Sequence, residues 1–266
     1  ETIDRFVKSK KRSNLRERTI NTLRNRLNAF ASNFAEIDID QVSKANLEDW
    51  IFREGVSVRE QINTRLALSN LLGWALGENL VHSNPVELIK PPRIDQSDPK
   101  ILTIEQVQSL LDAAKSEHNG ECLPYLIVCL FAGLRPSEAE MLSWNDVISS
   151  SGLIRIRSSK SKIRKKRNVR LSDNAKKALS RISHLPILPM GIRRKFNDVK
   201  RVAGFVEWPS DVLRHTAISY HVERFQDKSA TALWAGNSVR IIEEHYLELV
   251  SPTDAMAFWE IDLRLV

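Results

Sequence analysis

Ala132-Gly-Leu-Arg-Pro-Ser-Glu138 connects two predicted helices near the middle of this 266-residue chain. The apolar helix before it ends at Gly133, and Pro136 is well suited to the first position of the next helix. Arg135 then lies beside a helix N-terminus, where backbone N–H groups favour an anion. Glu138 can hold the arginine or bond the free backbone groups. Alone, the stretch is equally compatible with an ordinary helix–turn–helix carrying a surface arginine.

The segments around this turn predict a mainly helical domain with one small antiparallel β-hairpin. Helices are predicted at 103–115, at about 121–132 and after Arg135. Gly152–Arg157 and Asn168–Leu171 are short and β-branched, which is typical of two paired strands. From about residue 172 the pattern returns to helices.

The first 92 residues predict a bundle of about four helices. Apolar residues recur at helical spacing in Arg16–Phe34 and in Ser57–Leu76, and Ser43–Ile51 predicts a shorter helix between them. Asn84-Pro85 interrupts the pattern.

A proline-rich linker, Lys90–Pro99, separates this bundle from the rest of the chain, because its three prolines cannot continue a helix. Just after it, Thr103-Ile-Glu-Gln106 has the form of a capping box that starts a new helix. We therefore predict a helical domain at 1–92, a linker at 93–100 and a second domain at 101–266.

Composition favours a soluble globular protein with an acidic partner. The chain is 42% hydrophobic and 27% charged, with a net charge of +7, which attracts polyanions such as nucleic acid. No apolar run is long enough for a membrane span. The only two cysteines, Cys122 and Cys129, lie in an apolar stretch without zinc-ligand spacing, so we expect buried thiols and a reducing cytoplasm.

A basic segment lies at the tip of the predicted hairpin. Lys160–Arg170 holds seven lysines or arginines in eleven residues. A solvated turn is the plain explanation, but a hairpin tip is also narrow enough to enter a DNA groove. We therefore predict DNA contacts here and at one further position: Lys162, Arg164, Lys165, Lys166, Arg167 and His215.

Two later motifs complete the pattern. The first is Asp211-Val-Leu-Arg-His-Thr216, and the second is Gly236-Asn237 with Tyr246 nine residues after Asn237. With Gly133-Leu-Arg-Pro-Ser-Glu138, their order and spacing resemble those of the tyrosine recombinases, the phage integrase family. The resemblance extends over nearly the whole chain and identifies the first domain with the family's DNA-binding core-binding domain and the second with its catalytic domain.

The resemblance implies a site-specific recombinase that cleaves and rejoins DNA by transesterification. Tyr246 would attack phosphorus to form a 3′-phosphotyrosyl bond, while Arg135 and Arg214 stabilise the charge that develops on the phosphate. Lys160, in the hairpin, would protonate the leaving 5′-oxygen, with Lys162 as the alternative. Because the bond energy is conserved, we expect no metal, no ATP and no other cofactor.

Two positions depart from the family pattern. Asp211 stands where the family has a histidine, and Asn237 stands where it has a second one. Three roles are open for Asp211. It would pair with Arg214, act as the base for Tyr246, or interact favourably with the helix dipole without a catalytic role. Asn237 can hydrogen-bond a phosphate but cannot transfer a proton at neutral pH, and His215 would compensate in part.

These departures leave a second hypothesis open, a DNA-binding integrase-like protein with impaired strand transfer. In either case we expect a two-domain clamp on double-stranded DNA, without membrane attachment, in a prokaryotic cytoplasm at the nucleoid. The resemblance implies a tetramer on paired DNA sites. The apolar tail 252–263 would dock on a neighbouring protomer or pack on its own domain.

Overall fold

A computed structural model describes residues 1–13, 15–93, 98–148, 151–157 and 166–263. The chain divides into two compact units, Glu1–Gln96 and Ser97–Val266. The boundary between the units falls within the segment 93–100. Within the described ranges, no helix combines the length and the apolar character needed to cross a bilayer.

The first unit is helical, in agreement with its sequence pattern. Its helices are α1 (Thr2–Arg12), α2 (Glu17–Asn33), α3 (Lys44–Ile51) and α4 (Val58–Gly77). Helix α1 could not be predicted from the sequence, because Phe6 and Val7 are its only buried residues and two apolar positions make no periodic pattern.

All four helices contribute to one apolar core. Its most deeply buried large side chains are Phe6, Leu27, Leu47, Ile51, Leu68 and Ile89. At its edge, Arg26 on α2 forms a two-pronged ion pair with Glu60 on α4, with N–O distances of 2.8 and 2.7 Å. Both side chains are partly exposed, so the apolar core is the main source of stability.

The second unit is built from nine described helices and a small sheet. The helices are α5 (Ile104–Ser116), α6 (Leu123–Phe131), α7 (Pro136–Ala139), α8 (Asp173–Arg181), α9 (Ile192–Val202), α10 (Val212–Phe225), α11 (Lys228–Ala235), α12 (Val239–His245) and α13 (Pro252–Trp259). The predicted capping box at the start of α5 is confirmed. Thr103 Oγ1 accepts from the backbone of Gln106, and the Gln106 side chain accepts from the backbone of Thr103.

The sheet has three antiparallel strands in the order β1-β2-β3. They are β1 (Val147–Ile148), β2 (Leu153–Ile156) and β3 (Arg167–Arg170). The predicted pairing of β2 with β3 is confirmed, with Ile154 opposite Val169. The two-residue β1 was not predicted, because a strand this short has no alternation to detect.

Helices α6 and α10 form the centre of the second unit. Every residue of α6 is buried, and α10 is buried from Val212 to Val222 except at the half-buried His215. Since α10 carries Arg214 and His215, this packing fixes the position of both side chains. The arginine therefore projects from a buried helix rather than from a loop.

The tail helix α13 packs on its own unit. Phe258 is fully buried, and its ring stacks on Phe131 at 5.0 Å and on Tyr220 at 4.3 Å between centroids. Of the two alternatives for the tail, the structure therefore has the one in which it completes the core of its own domain.

Candidate active site

Arg135 is presented by the turn between α6 and α7. Gly133 has a left-handed backbone (φ +58°), and a Cβ there would lie 2.6 Å from the Trp234 ring, so only glycine fits. Pro136 starts α7 as predicted. Glu138 Oε2 accepts from the Arg135 backbone N–H at 3.0 Å, so this carboxylate fixes the turn that carries the arginine.

Arg214 lies in the first turn of α10 and is 4% exposed. Its guanidinium donates to the carbonyl oxygens of Gly133 and Ala235 and to Asn237 Oδ1. A guanidinium has five N–H donors. The carbonyls aim the arginine toward Arg135, and its remaining donors have no hydrogen-bond partner identified among the described residues.

Asn237 is the point at which the two arginines meet. Its Oδ1 accepts from Arg135 Nη2 at 2.8 Å and from Arg214 Nη2 at 3.1 Å. Arg135 Nη2 also donates to the Gly236 carbonyl at 3.1 Å. Because both arginines are donors, the amide oxygen must face them. The amide N–H groups have no partner among the described residues and can donate to an anion.

Arg167 was predicted as a DNA contact, and its position in the structure contradicts that prediction. It is 9% exposed and lies on the inner face of β3 with Val169. Both its Nη atoms bond the Glu138 carboxylate, at 2.7 and 2.8 Å, and its Nε donates to the Trp234 carbonyl at 3.1 Å. A side chain committed to a buried ion pair cannot extend to a phosphate, so its role is structural.

Glu138 is the buried counter-charge of the three arginines around it. Burial raises the pKa of this carboxyl, but the hydrogen bonds and charges of Arg167 and Arg135 outweigh burial and leave its pKa lowered. Burial, together with the charge of Arg135, lowers the pKa of Arg214 to about 9, so this guanidinium is still a cation at neutral pH. Three cations around one carboxylate leave a positive site suited to an anion.

Tyr246 lies immediately after α12 and is 5% exposed. Its hydroxyl is 2.8 Å from Nδ1 of His215, and the two rings are stacked at 5.6 Å. Burial raises the pKa of Tyr246, while the charges of Arg214 and Arg135 lower it and that of Asp211 raises it; the net shift is upward. The phenol is therefore protonated at neutral pH.

His215 was predicted as a DNA contact, and the structure gives its Nδ1 a different partner. While Nδ1 bonds the Tyr246 hydroxyl, that nitrogen is not available to DNA. This contact could not be predicted from the sequence, because residues 215 and 246 are far apart in the chain and no local pattern links them.

Asp211 precedes α10 with a left-handed backbone (φ 54°) and is exposed. Within the described ranges, no ion pair joins it to Arg214, whose bonds go to carbonyl oxygens, so the predicted pairing of these two residues is wrong. Its side chain also makes no capping hydrogen bond to the helix. Its charge instead acts at a distance, raising the pKa of His215 and of Tyr246.

The hairpin residues are only partly described. Lys160, Lys162, Arg164 and Lys165 lie outside the described residues, so the general-acid and groove-contact predictions for them stay predictions. Lys166 is described and exposed. Among the described residues, no group of three or more histidine, cysteine or acidic side chains is arranged to hold a metal ion.

The comparisons with known proteins agree with this geometry. Residues 100–230 match the phage integrase family. A tyrosine recombinase XerD of Neisseria meningitidis is 28% identical over 144 residues, which cover 53% of this chain and 50% of that protein. A tyrosine recombinase of Thermosipho africanus is 30% identical over the same length, with the same coverage. The match thus spans about half the length of these curated relatives.

Solved structures with the same fold cover more of the chain. A lambda integrase (75-356) dimer bound to a COC′ core site has a TM-score of 0.75 at 15% identity, covering 90% of this chain and 95% of that one. The Tn1549 transposon integrase in complex with circular intermediate DNA has a TM-score of 0.73 at 16% identity, covering 96% and 98%. These likenesses concern the fold. The match to the phage integrase family therefore falls on residues 100–230, just under half of the chain, and these curated relatives are named tyrosine recombinases.

Proposed function

We propose that this protein is a site-specific DNA recombinase that cleaves and rejoins duplex DNA through a 3′-phosphotyrosyl intermediate on Tyr246. The observation that carries the proposal is the meeting of Arg135 and Arg214 at the Asn237 amide oxygen. The charges of both arginines act on the Tyr246 hydroxyl. The two arginines thus provide a positively charged site for a phosphate, and Tyr246 provides the nucleophile.

The chemistry requires stabilisation of a phosphorane-like transition state with extra charge on the non-bridging oxygens. Two fixed guanidiniums meet that need, because each preorganised donor of this kind lowers a barrier by roughly 3–4 kcal/mol. The Asn237 amide N–H groups add a neutral donor at the same place. Arg135, with 18% of its side chain exposed, is the more accessible of the two cations.

The two half-reactions mirror each other. In cleavage the Tyr246 oxygen bonds phosphorus and the 5′-oxygen leaves, taking a proton that we assign to Lys160. In rejoining, a 5′-hydroxyl attacks phosphorus and the tyrosine leaves. The phosphodiester energy is kept in the covalent intermediate, so the exchange needs no external energy source. The proposed machinery comprises Arg135, Lys160, Asp211, Arg214, Asn237 and Tyr246.

Double-stranded DNA is the proposed partner, with the first unit as a core-binding domain and the exposed Lys166 among the contacts. We further propose a tetramer on paired sites, an assembly for which a lambda integrase tetramer bound to a Holliday junction is the precedent. Since curated relatives include bacterial proteins, we place the activity in a prokaryotic cytoplasm, at the nucleoid.

The test is covalent capture on DNA. Duplexes with a randomised core and a nick that prevents religation are incubated with the protein, and adducts resistant to denaturant are isolated and sequenced. We expect enriched sites that form an adduct with the wild type. Tyr246→Phe removes only the attacking hydroxyl, so it should bind these sites yet form no adduct.

Two results would count against the proposal. An adduct that persists in Tyr246→Phe would assign the nucleophile elsewhere. Sequence-specific binding by the wild type without any adduct would instead indicate a DNA-binding protein with impaired chemistry. Tyr125→Phe is a matched control, because Tyr125 is buried in α6 and should leave adduct formation unchanged.

A further inference from the structure

The Tyr246 hydroxyl needs a proton acceptor, and the structure places one beside it. A phenol attacks phosphorus only as it loses its proton, and an unperturbed tyrosine has a pKa of about 10. Burial makes that loss harder here, since the net pKa shift of Tyr246 is upward. A general base must lie within hydrogen-bond reach of the proton that it removes.

His215 meets this distance requirement and Asp211 does not. His215 Nδ1 is 2.8 Å from the hydroxyl oxygen, and ring stacking fixes the approach of the two side chains. Asp211 is exposed, and among the described residues its carboxylate forms no hydrogen bond with Tyr246. The proton acceptor is therefore His215, the residue after Arg214, rather than Asp211, three residues before Arg214.

Burial is the main reason why the His215 ring is neutral before the reaction. Burial lowers the pKa of His215; the Asp211 carboxylate on the same helix raises it, and Arg214 and His245 lower it. The net shift is downward from the ordinary value, so at neutral pH the imidazole has a free lone pair. In the tautomer that carries the ring hydrogen on Nε2, Nδ1 accepts the O–H of the phenol.

We propose that His215 is a further catalytic residue, whose Nδ1 accepts the Tyr246 proton as the tyrosine oxygen attacks phosphorus. The O–H bond of Tyr246 breaks and an N–H bond forms at Nδ1, while the new P–O bond forms and the bond to the 5′-oxygen breaks. The leaving oxygen takes its proton from the general acid. In rejoining, the imidazolium returns the proton to the departing tyrosine.

Asp211 then has an indirect role. As His215 becomes an imidazolium, it gains the attraction of the carboxylate that already raises its pKa. Asp211 is therefore a positioning residue that acts through His215. This inference rests on the proposed recombinase function and deepens it.

The test is a pH profile of single-turnover adduct formation on a captured site. We expect the wild-type rate to fall in acid as His215 is protonated, with a midpoint below about 6.5, the ordinary histidine value. His215→Gln keeps a hydrogen-bonding group but cannot accept a proton. It should lower the plateau rate by about 10²- to 10⁴-fold and abolish this acidic limb.

Further variants separate the roles. Asp211→Asn removes the charge that raises the pKa of His215, so its acidic limb should move to lower pH. His184→Gln, at an exposed histidine, is the matched control and should keep the wild-type rate and profile. DNA binding and thermal unfolding of His215→Gln should remain close to wild type, which separates lost chemistry from lost folding.

A second measurement needs no activity. Nitrogen NMR of the DNA-free protein at pH 7.5 should find Nδ1 of His215 unprotonated and Nε2 carrying the hydrogen. A protonated Nδ1 would overturn the inference, as would a wild-type rate and pH profile in His215→Gln. If the wild type forms no adduct at all, the proposed recombinase function is wrong. If Tyr246→Phe loses the adduct and His215→Gln retains it fully, only the role of His215 as the base is wrong.

Discussion

Asn237 determines how much positive charge the site presents, because its neutral amide joins Arg135 and Arg214 without cancelling either. A carboxylate of the same shape would accept the same bonds but add a negative charge. This carboxylate would repel a bound phosphate. Two like charges about 4 Å apart repel by about 4 kcal/mol at an effective dielectric constant of about 20. The choice of an amide therefore preserves the affinity for a phosphate.

Asn237→Asp should slow adduct formation by about 100-fold. This loss is smaller than the full charge repulsion would cause, because the two arginines screen part of the new charge. The measurement is the single-turnover rate on a captured DNA site. Asn145→Asp makes the same charge change at an exposed residue and should remain near wild type. An Asn237→Asp rate equal to that of the control would mean that this amide does not face the phosphate.

Gly236 allows Arg167 to pass directly beneath the site. Its backbone is left-handed (φ +67°), and a Cβ there would lie 2.9 Å from Arg167 Nη1. Arg167 cannot move aside, because Glu138 and the Trp234 carbonyl hold its guanidinium. The residue that ends α11 is thus constrained twice, by backbone conformation and by space.

Gly236→Ala should destabilise the second unit by more than the roughly 1–2 kcal/mol that a left-handed backbone alone imposes on alanine. Gly191→Ala is the matched control, since Gly191 has φ +70° and nothing within 4 Å of a Cβ. Chemical denaturation of both variants measures the difference. Equal losses of unfolding free energy would show that Arg167 yields to the new methyl group.

At the scale of elements, the ion pair between Arg167 and Glu138 connects β3 to α7. The two side chains are 5% and 0% exposed, so removing one partner leaves the other charged and buried. Breaking such a pair usually costs about 3–5 kcal/mol. The link matters for function because Glu138 also bonds the backbone of Arg135, so β3 and the arginine turn are held together.

Arg167→Leu should therefore lower the unfolding free energy of the second unit by about 3–5 kcal/mol. Arg170→Leu, on the exposed face of the same strand, should change it by at most about 0.5 kcal/mol. Denaturant titrations of the two variants test the contrast. A loss in Arg167→Leu no larger than in Arg170→Leu would contradict a stabilising role for the pair.

Long elements could be predicted from the sequence, and tertiary contacts could not. Helix α4 has a long apolar pattern, whereas α1 has only two buried residues. Arg167 was assigned to DNA because it belongs to a basic run. The alternation of β3 contains the contrary signal, since Arg167 shares a face with Val169. The order of the motifs identified Arg135, Arg214 and Tyr246, but their hydrogen-bond partners depend on folding.

At the scale of the whole molecule, the net charge of +7 predicts that the proposed binding to DNA depends on salt. Each neutralised phosphate releases counterions, which gives a slope of about −0.9 per contact in a plot of log affinity against log salt concentration. The slope therefore counts the phosphate contacts that the whole chain makes with the proposed DNA partner. Lys166 is the described hairpin lysine whose contribution can be separated, because it is exposed.

Lys166→Gln should make the salt slope shallower by about 0.9 if its ammonium neutralises one phosphate, and should weaken binding to all sequences alike. Lys166→Arg keeps the charge and should keep the wild-type slope. Fluorescence anisotropy with a labelled duplex at several salt concentrations measures both. Because Lys166 is exposed, thermal unfolding should not change in either variant. A slope in Lys166→Gln equal to that of the wild type would place this lysine away from the DNA, and the contacts of the second unit would then come from other surfaces.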